Sequence, residues 1–343
     1  MRAVMLRQVG GPEALVPENV PDPAPGPEEV LVRVRASAVC GRDLIDRRGG
    51  FPMMKLPTIL GHELAGEVVS VGERAEASGL RPGDRVVNLH RPSCGACRRC
   101  LAGAPIDCER AFQSFGHTVD GAYAELCVAH HRALVRLPDG IGFEVASTLM
   151  CTAGVALHAL RARARLALGE TVLITGASGG VGAVAVQIAR RMGARVIATT
   201  TQPHKVEALR RLGAHEVVVS PDGRFHNQVA ALSDGGVDVS VELTGSATFT
   251  SALRSLRRGG RLVLLGNIEA SKVELSVGAV IVYGYEILGS ASCTHADLVD
   301  VFGLVRAGEL TPVIDRTLPL EQAAEAHRIL AERAAVGRIV LVP

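Results

Sequence analysis

Tryptophan is absent from the 343 residues, and aromatic residues of all kinds make up only 3%. With so few flat side chains and no long basic run, the chain lacks the stacking platforms and phosphate-tracking stripes that nucleic-acid binding needs. No run of about 18 apolar residues is present, so no membrane-spanning helix is expected. The opening residues Met1–Leu6 read as a short strand, without the apolar core and cleavage site of a secretion signal. Charge of neither sign is in excess: the formal net charge is +2, with 21% of residues charged. The expectation is a soluble, cytoplasmic protein with no nucleic-acid or membrane partner.

Apolar residues, at 48%, are plentiful, and the length suits two cores better than one. The first third is β-rich. A turn segment, Pro21–Pro27, leads into the alternating run Leu31–Val39, and Gly66–Gly72 and Gly83–Val87 are further short strands between glycines. Near residue 150 the rhythm changes. Thr171–Thr175, Arg195–Ala198, Glu216–Val219, Val237–Val241, Arg261–Leu265 and Glu286–Leu288 recur every 20 to 25 residues or so, with helical stretches between them. That alternation predicts βαβ units on a parallel sheet. The last strand, Gly337–Val342, has no following helix and is expected to rejoin the first domain. The fold expected is therefore α/β. A β-rich domain over 1–150, completed by 300–343, accompanies a doubly wound Rossmann domain over 151–299.

The first of the recurrent strands runs into Gly176-Ala-Ser-Gly-Gly-Val-Gly182 and then a helical stretch. Glycines in that setting let a pyrophosphate approach bare backbone N–H groups at a helix N-terminus. Gly176, Ser178, Gly179, Gly180, Val181 and Gly182 are thus candidate cofactor contacts, joined by Thr244, Gly266 and Asn267. An NAD site usually carries an acid about twenty residues past the glycines, yet 199–206 holds none. Thr199, Thr200 and Thr201 with Lys205 suit a ribose 2′-phosphate, so NADP(H) is the expected cofactor.

Eight cysteines in such a chain point to metal or catalysis ahead of disulfides. Cys94, Cys97, Cys100 and Cys108 fall within fifteen residues, and their spacing lets four thiolates converge on one Zn²⁺. Such a closed site holds a loop and does no chemistry. Cys127 and Cys293 are left over.

Other elements carry a resemblance. Cys40-Gly-Arg-Asp43, Gly61-His-Glu63 and Met150-Cys-Thr-Ala153, in order with the four-cysteine lobe and the glycine turn, resemble the zinc-type medium-chain dehydrogenases over essentially the whole chain. The resemblance implies that the first domain is GroES-like. It also implies that Cys40, His62 and Cys151 bind a catalytic zinc with one position open, so that two zinc ions are held per chain. Glu63 would sit near the metal and Asp43 would orient His62.

One departure matters. The family's alcohol dehydrogenases usually carry Ser or Thr two residues after the cysteine and often His five after it, to pass the alcohol proton to solvent. Arg42 and Ile45 stand there, and neither can run that relay. Cys40-x-Arg-Asp-Leu44, Gly50–Lys55, Thr175–Gly182 and Leu265-Gly-Asn267 look instead like the acryloyl-CoA reductases, which reduce the C=C bond of a 2-enoyl thioester with NADPH. The basic cluster Arg42, Arg47, Arg48 and Lys55 could then meet the phosphates of coenzyme A, the alternative being a solvated loop. The competing expectations are a zinc alcohol or aldehyde dehydrogenase and a cofactor-binding protein without turnover. A homodimer or homotetramer acting on a small molecule is expected in the enzymatic cases.

Overall fold

The computed structural model describes residues 1–50, 53–110, 113–268 and 272–343, so Phe51 and Pro52 of the Gly50–Lys55 segment lie outside the described residues. The chain folds as two compact units. One is Met1–Cys151 with Ser292–Glu309 and Ile314–Pro343; the other is Thr152–Ala291 with Leu310–Val313.

In the second unit, β-branched runs form a six-stranded, wholly parallel sheet. Its order in space is Glu216–Val219, Arg195–Thr200, Thr171–Ile174, Val237–Glu242, Leu256–Leu264, Glu286–Gly289. Numbered along the chain this is 3-2-1-4-5-6, the doubly wound order that leaves a switch point beside the first strand. Leu173, Ile197, Val218, Phe225, Val229, Val237 and Phe249 fill one core. Each such side chain, fully buried, contributes about 1.5–3 kcal/mol. The fifth strand starts earlier than its apolar pattern predicts. Leu256 pairs with Val237 and the next partners are Arg261 and Val239, so residues 257–260 lie within a register shift.

The first unit is built on the long strand Glu29–Val39. Val30, Val32, Val34, Ala36 and Ala38 are buried, while Arg33 and Arg35 face out, as a period of two requires. It pairs antiparallel with Leu64–Val71, Leu126–His130 and the final strand Arg338–Val342. The last pairing sets Ile339 opposite Val39, which brings Arg338 beside Cys40. One helical stretch, Phe143–Arg163, is long and apolar enough to cross a membrane, and its most apolar window is 78% buried, as in a core helix.

Candidate active site and metal centres

Cys40 follows the strand Glu29–Val39 and caps the helix Gly41–Arg47. The Cys-Gly-Arg-Asp spacing puts Asp43 at the third helical position, where its carboxylate accepts from the Cys40 N–H at 2.9 Å. The other Asp43 oxygen lies 2.8 Å from His62 Nδ1. Gly61 precedes His62 at φ +98, and a Cβ there would stand 2.5 Å from the Tyr123 ring, so only glycine allows the approach. Cys151 lies in a π-helical turn, Met150–Gly154, after the helix Phe143–Leu149.

These segments converge. Cys40 Sγ is 3.8 Å from Cys151 Sγ, and Cys151 Sγ is 3.6 Å from His62 Nε2. Ligand atoms of Cys40, His62, Glu63 and Cys151 all lie within 4.8 Å of one another, and every one of these residues is buried. A tetrahedron with Zn–S bonds of about 2.3 Å has edges of about 3.8 Å, so the donor set fits zinc. Glu63 adds a second sign of fit. Its carboxylate is fully buried, and neither oxygen receives an aligned hydrogen bond. Arg338 Nη2 lies 2.9 Å from Glu63 Oε1 and also approaches Cys40 Sγ at 3.5 Å. Burial pushes Glu63 up to about 8, with Arg338 opposing. The Cys40 thiol is held well below its ordinary range, first by contact with Cys151 and then, against burial, by Arg338 and His62.

Two further groups flank this centre. The His90 ring stacks on His62 with centroids 5.4 Å apart, and its Nδ1 lies 3.0 Å from Ser292 Oγ. Ser292 has φ +62, a left-handed conformation that costs a non-glycine residue about 1–3 kcal/mol. Tyr123 donates from its OH to Asp43 at 3.1 Å. Arg338, Tyr123, His90, Ser292 and the Tyr123 partner His327 escaped the sequence reading. None of them carries a repeat or a ligand spacing to mark it.

The second cluster is local. Cys94 and Cys100 Sγ are 3.9 Å apart, Cys97 and Cys108 Sγ 4.0 Å, and all four ligand atoms lie within 4.8 Å. The sulfurs are far beyond the roughly 2.05 Å of a disulfide. Backbone N–H groups of Ala96 and Cys97 point at Cys94 Sγ, and that of Cys94 at Cys108 Sγ. Backbone hydrogen bonds carry the Cys97 thiol down to about 6. Cys127 and Cys293 are buried single thiols.

In the second unit, the turn from Gly176 runs from the strand Thr171–Ile174 into the twelve-residue helix Gly180–Arg191. Gly176 has φ +55, and a Cβ on Gly182 would meet Gly176 O at 2.5 Å, so the turn requires both glycines. Ser178, Gly179, Gly180 and Val181 lie between them at the N-terminus of the helix. Thr244 follows the strand Val237–Glu242 and donates its N–H to the buried Glu242 carboxylate at 2.7 Å. Gly266 and Asn267 follow the strand Leu256–Leu264, and a Cβ on Gly266 would collide with the backbone of Leu243. These residues gather at the carboxyl ends of adjacent strands, where doubly wound sheets bind their ligands.

The expected anion contacts differ in exposure. Lys205, Thr199 and Thr200 are only 4%, 4% and 5% exposed, and of the expected 2′-phosphate contacts Thr201 alone faces outward. Arg47, expected to meet coenzyme A, is 1% exposed and donates to Gly10 O at 3.2 Å. Arg42 is tied down as well, through Asp46 at 3.0 Å and Phe115 O at 3.1 Å. Arg48 and Lys55 remain exposed.

The first unit matches an alcohol dehydrogenase GroES-like domain over residues 26–139, and residues 180–306 match a zinc-binding dehydrogenase domain. The chain is 35% identical to the acryloyl-coenzyme A reductase of Sulfurisphaera tokodaii, covering 95% of this chain and 96% of that one. It is also 35% identical to an alcohol dehydrogenase of Geobacillus stearothermophilus, with 99% of each covered. The crystal structure of AibC superposes with a TM-score of 0.92 at 46% identity, covering 100% of this chain and 96% of that one. The chain belongs to the zinc-type medium-chain dehydrogenase/reductase family. It is an oxidoreductase of the kind that works with a nicotinamide cofactor.

Removing Arg338 takes away the guanidinium that faces both Glu63 and the Cys40 sulfur. Arg338→Met is therefore expected to lower the unfolding free energy by about 3–5 kcal/mol in denaturant titration. Combining it with Glu63→Gln should recover part of the loss, whereas simple additivity of the two costs would show that the pair does not interact.

Proposed function

We propose that the protein is a zinc-containing, NADPH-dependent reductase of the C=C bond of a short 2-enoyl thioester, acryloyl-CoA-like or methyl-branched. One observation carries the choice among the family's reactions. The position where alcohol dehydrogenases keep a proton-relay hydroxyl is Arg42, whose guanidinium is engaged by Asp46 and the Phe115 carbonyl. The likeness to the Sulfurisphaera reductase supports the same reading.

A bound reduced nicotinamide would supply the hydride for the β-carbon, and water or a side chain would supply the proton for the α-carbon. Cys40, His62 and Cys151 would hold a zinc ion, which supplies Lewis-acid stabilisation for charge on the thioester oxygen. Asp43 orients His62 through its Nδ1, and Arg338 balances the buried charge of Cys40 and Glu63. His90, kept neutral by burial, supplies another hydrogen-bonding group at this centre. Cys94, Cys97, Cys100 and Cys108 would hold a second, structural zinc. Arg48 and Lys55 are the exposed cations of the expected coenzyme A cluster. Gly176–Gly182 would take the cofactor pyrophosphate on the N-terminus of the helix Gly180–Arg191. Eight unpaired cysteines support a reducing, cytoplasmic setting. Val277, Ile281 and Val282 are more than half exposed on one helix, next in sequence to the edge strand Glu286–Gly289, and these features support a homodimer or homotetramer.

The equally high identity to an alcohol dehydrogenase keeps alcohol or aldehyde turnover as the second reading. Initial rates of NADPH consumption with crotonyl-CoA, a methyl-branched enoyl-CoA and a matched aldehyde separate the two. The enoyl thioesters are expected to turn over and the aldehyde to lag by about tenfold or more in kcat/KM. Aldehyde turnover with none of the thioester would select the alcohol dehydrogenase reading.

NADPH preference rests on the absence of an acid from 199–206, with Thr201 exposed where a 2′-phosphate would lie. Charge-assisted hydrogen bonds of about 1.5–3 kcal/mol imply about a ten- to hundredfold preference in kcat/KM. Thr201→Asp should erase or reverse it by bringing a carboxylate against the phosphate, and equal constants for both cofactors in the parent protein would contradict the reading.

A further inference from the structure

Behind the His62–Asp43 pair lies an unbroken series of buried polar contacts. Tyr123 OH donates to Asp43 Oδ2 at 3.1 Å and lies 3.2 Å from His327 Nε2. His327 Nδ1 in turn lies 3.2 Å from Arg47 Nη1. Asp43, Tyr123, His327 and Arg47 are each 1% exposed or less, so the groups have one another and not solvent.

The chemistry of the terminal member sets every proton. A guanidinium only donates, so His327 Nδ1 must accept. A neutral imidazole that accepts at Nδ1 carries its proton on Nε2, and that N–H donates to the Tyr123 oxygen. The tyrosine proton is thereby turned toward Asp43, whose other oxygen takes the Nδ1 proton of His62. His62 thus keeps its proton on Nδ1, and to a bound metal it would offer the lone pair of Nε2, the atom that lies 3.6 Å from Cys151 Sγ.

We propose that Arg47, His327 and Tyr123 are positioning residues. Together with Asp43 they form a one-way hydrogen-bond chain that locks the tautomer and direction of His62 toward the Cys40/Cys151 cluster. This rests on the reading of that cluster as a zinc site. Burial pushes His327 down to about 4, with the charge of Asp43 opposing and Arg47 and Arg48 reinforcing, so the ring is neutral at neutral pH as the chain requires. The chain also gives Arg47 a use other than coenzyme A binding.

Two measurements test it. In ¹⁵N-histidine NMR at neutral pH, His327, assigned by its loss in His327→Gln, should show a protonated Nε2 and a bare Nδ1. A ring protonated on Nδ1 would overturn the direction of the chain. The second measurement is zinc release from the loaded protein into a chelator, with the zinc of the four-cysteine cluster as internal control. Tyr123→Phe and His327→Leu should release the zinc of the Cys40 cluster about ten- to a hundredfold faster, with the control unmoved. His327→Gln can accept from Arg47 and donate to Tyr123, and should stay within about twofold of the parent. Equal release from parent, Leu and Gln proteins would overturn the positioning role. If the Cys40 cluster of the parent holds no zinc, the function reading fails, and the NMR arm on the zinc-free protein still decides the chain's direction.

Discussion

Burial of ionisable groups around one point is the constraint on which the first unit depends. Cys40, His62, Glu63, Cys151 and Arg338 are all 9% exposed or less. Isolated charges in such surroundings cost several kcal/mol each. Arg338 cannot lose its proton, and it stands against Glu63 and the Cys40 sulfur together. Burial pushes Glu63 up and contact with Cys40 pushes Cys151 up, so one guanidinium leaves the cluster short of positive charge, and the Glu63 oxygens lack aligned donors. A divalent cation among these ligands would favour their ionised forms, and the sulfur-to-sulfur distance is the one a tetrahedral zinc would set.

The backbone is arranged to satisfy this constraint from several directions at once. The final strand must pair with Glu29–Val39 in the observed register, because a slip of one residue would carry Arg338 to the opposite face. Gly61 must be glycine for His62 to pass the Tyr123 ring, and Asp43 must occupy the third position of its helix to reach both Cys40 N and His62. The four-cysteine lobe needs none of this, since its ligands lie within fifteen residues and its own loop supplies the N–H groups that stabilise thiolates.

That contrast explains what could be read from the sequence. Local chemistry was visible: the four cysteines are marked by spacing, and the glycine turn by the strand before it and the helix after it. The six parallel strands were visible through their period, although the start of the fifth was hidden by a register shift between Leu256 and Arg261. Cys40, His62 and Cys151 are up to 111 residues apart, and only resemblance associated them. Tyr123, His327 and Arg338 had no local signal, since a lone polar residue does not announce whether it faces a core. Nor does the sequence mark the burial of Arg47 and Lys205, basic residues near loops that are packed inside.

The central claim, that a zinc ion neutralises the buried cluster of the first unit while a second holds the cysteine lobe, is tested most directly by zinc K-edge X-ray absorption on the purified protein with metal quantified in the same sample. Six cysteine sulfurs and one histidine nitrogen shared between two ions predict two zinc per chain. The averaged shell would be about three sulfurs and one lighter atom, the open position of the Cys40 site supplying the remaining light ligand. One zinc per chain in a pure four-sulfur shell would contradict it.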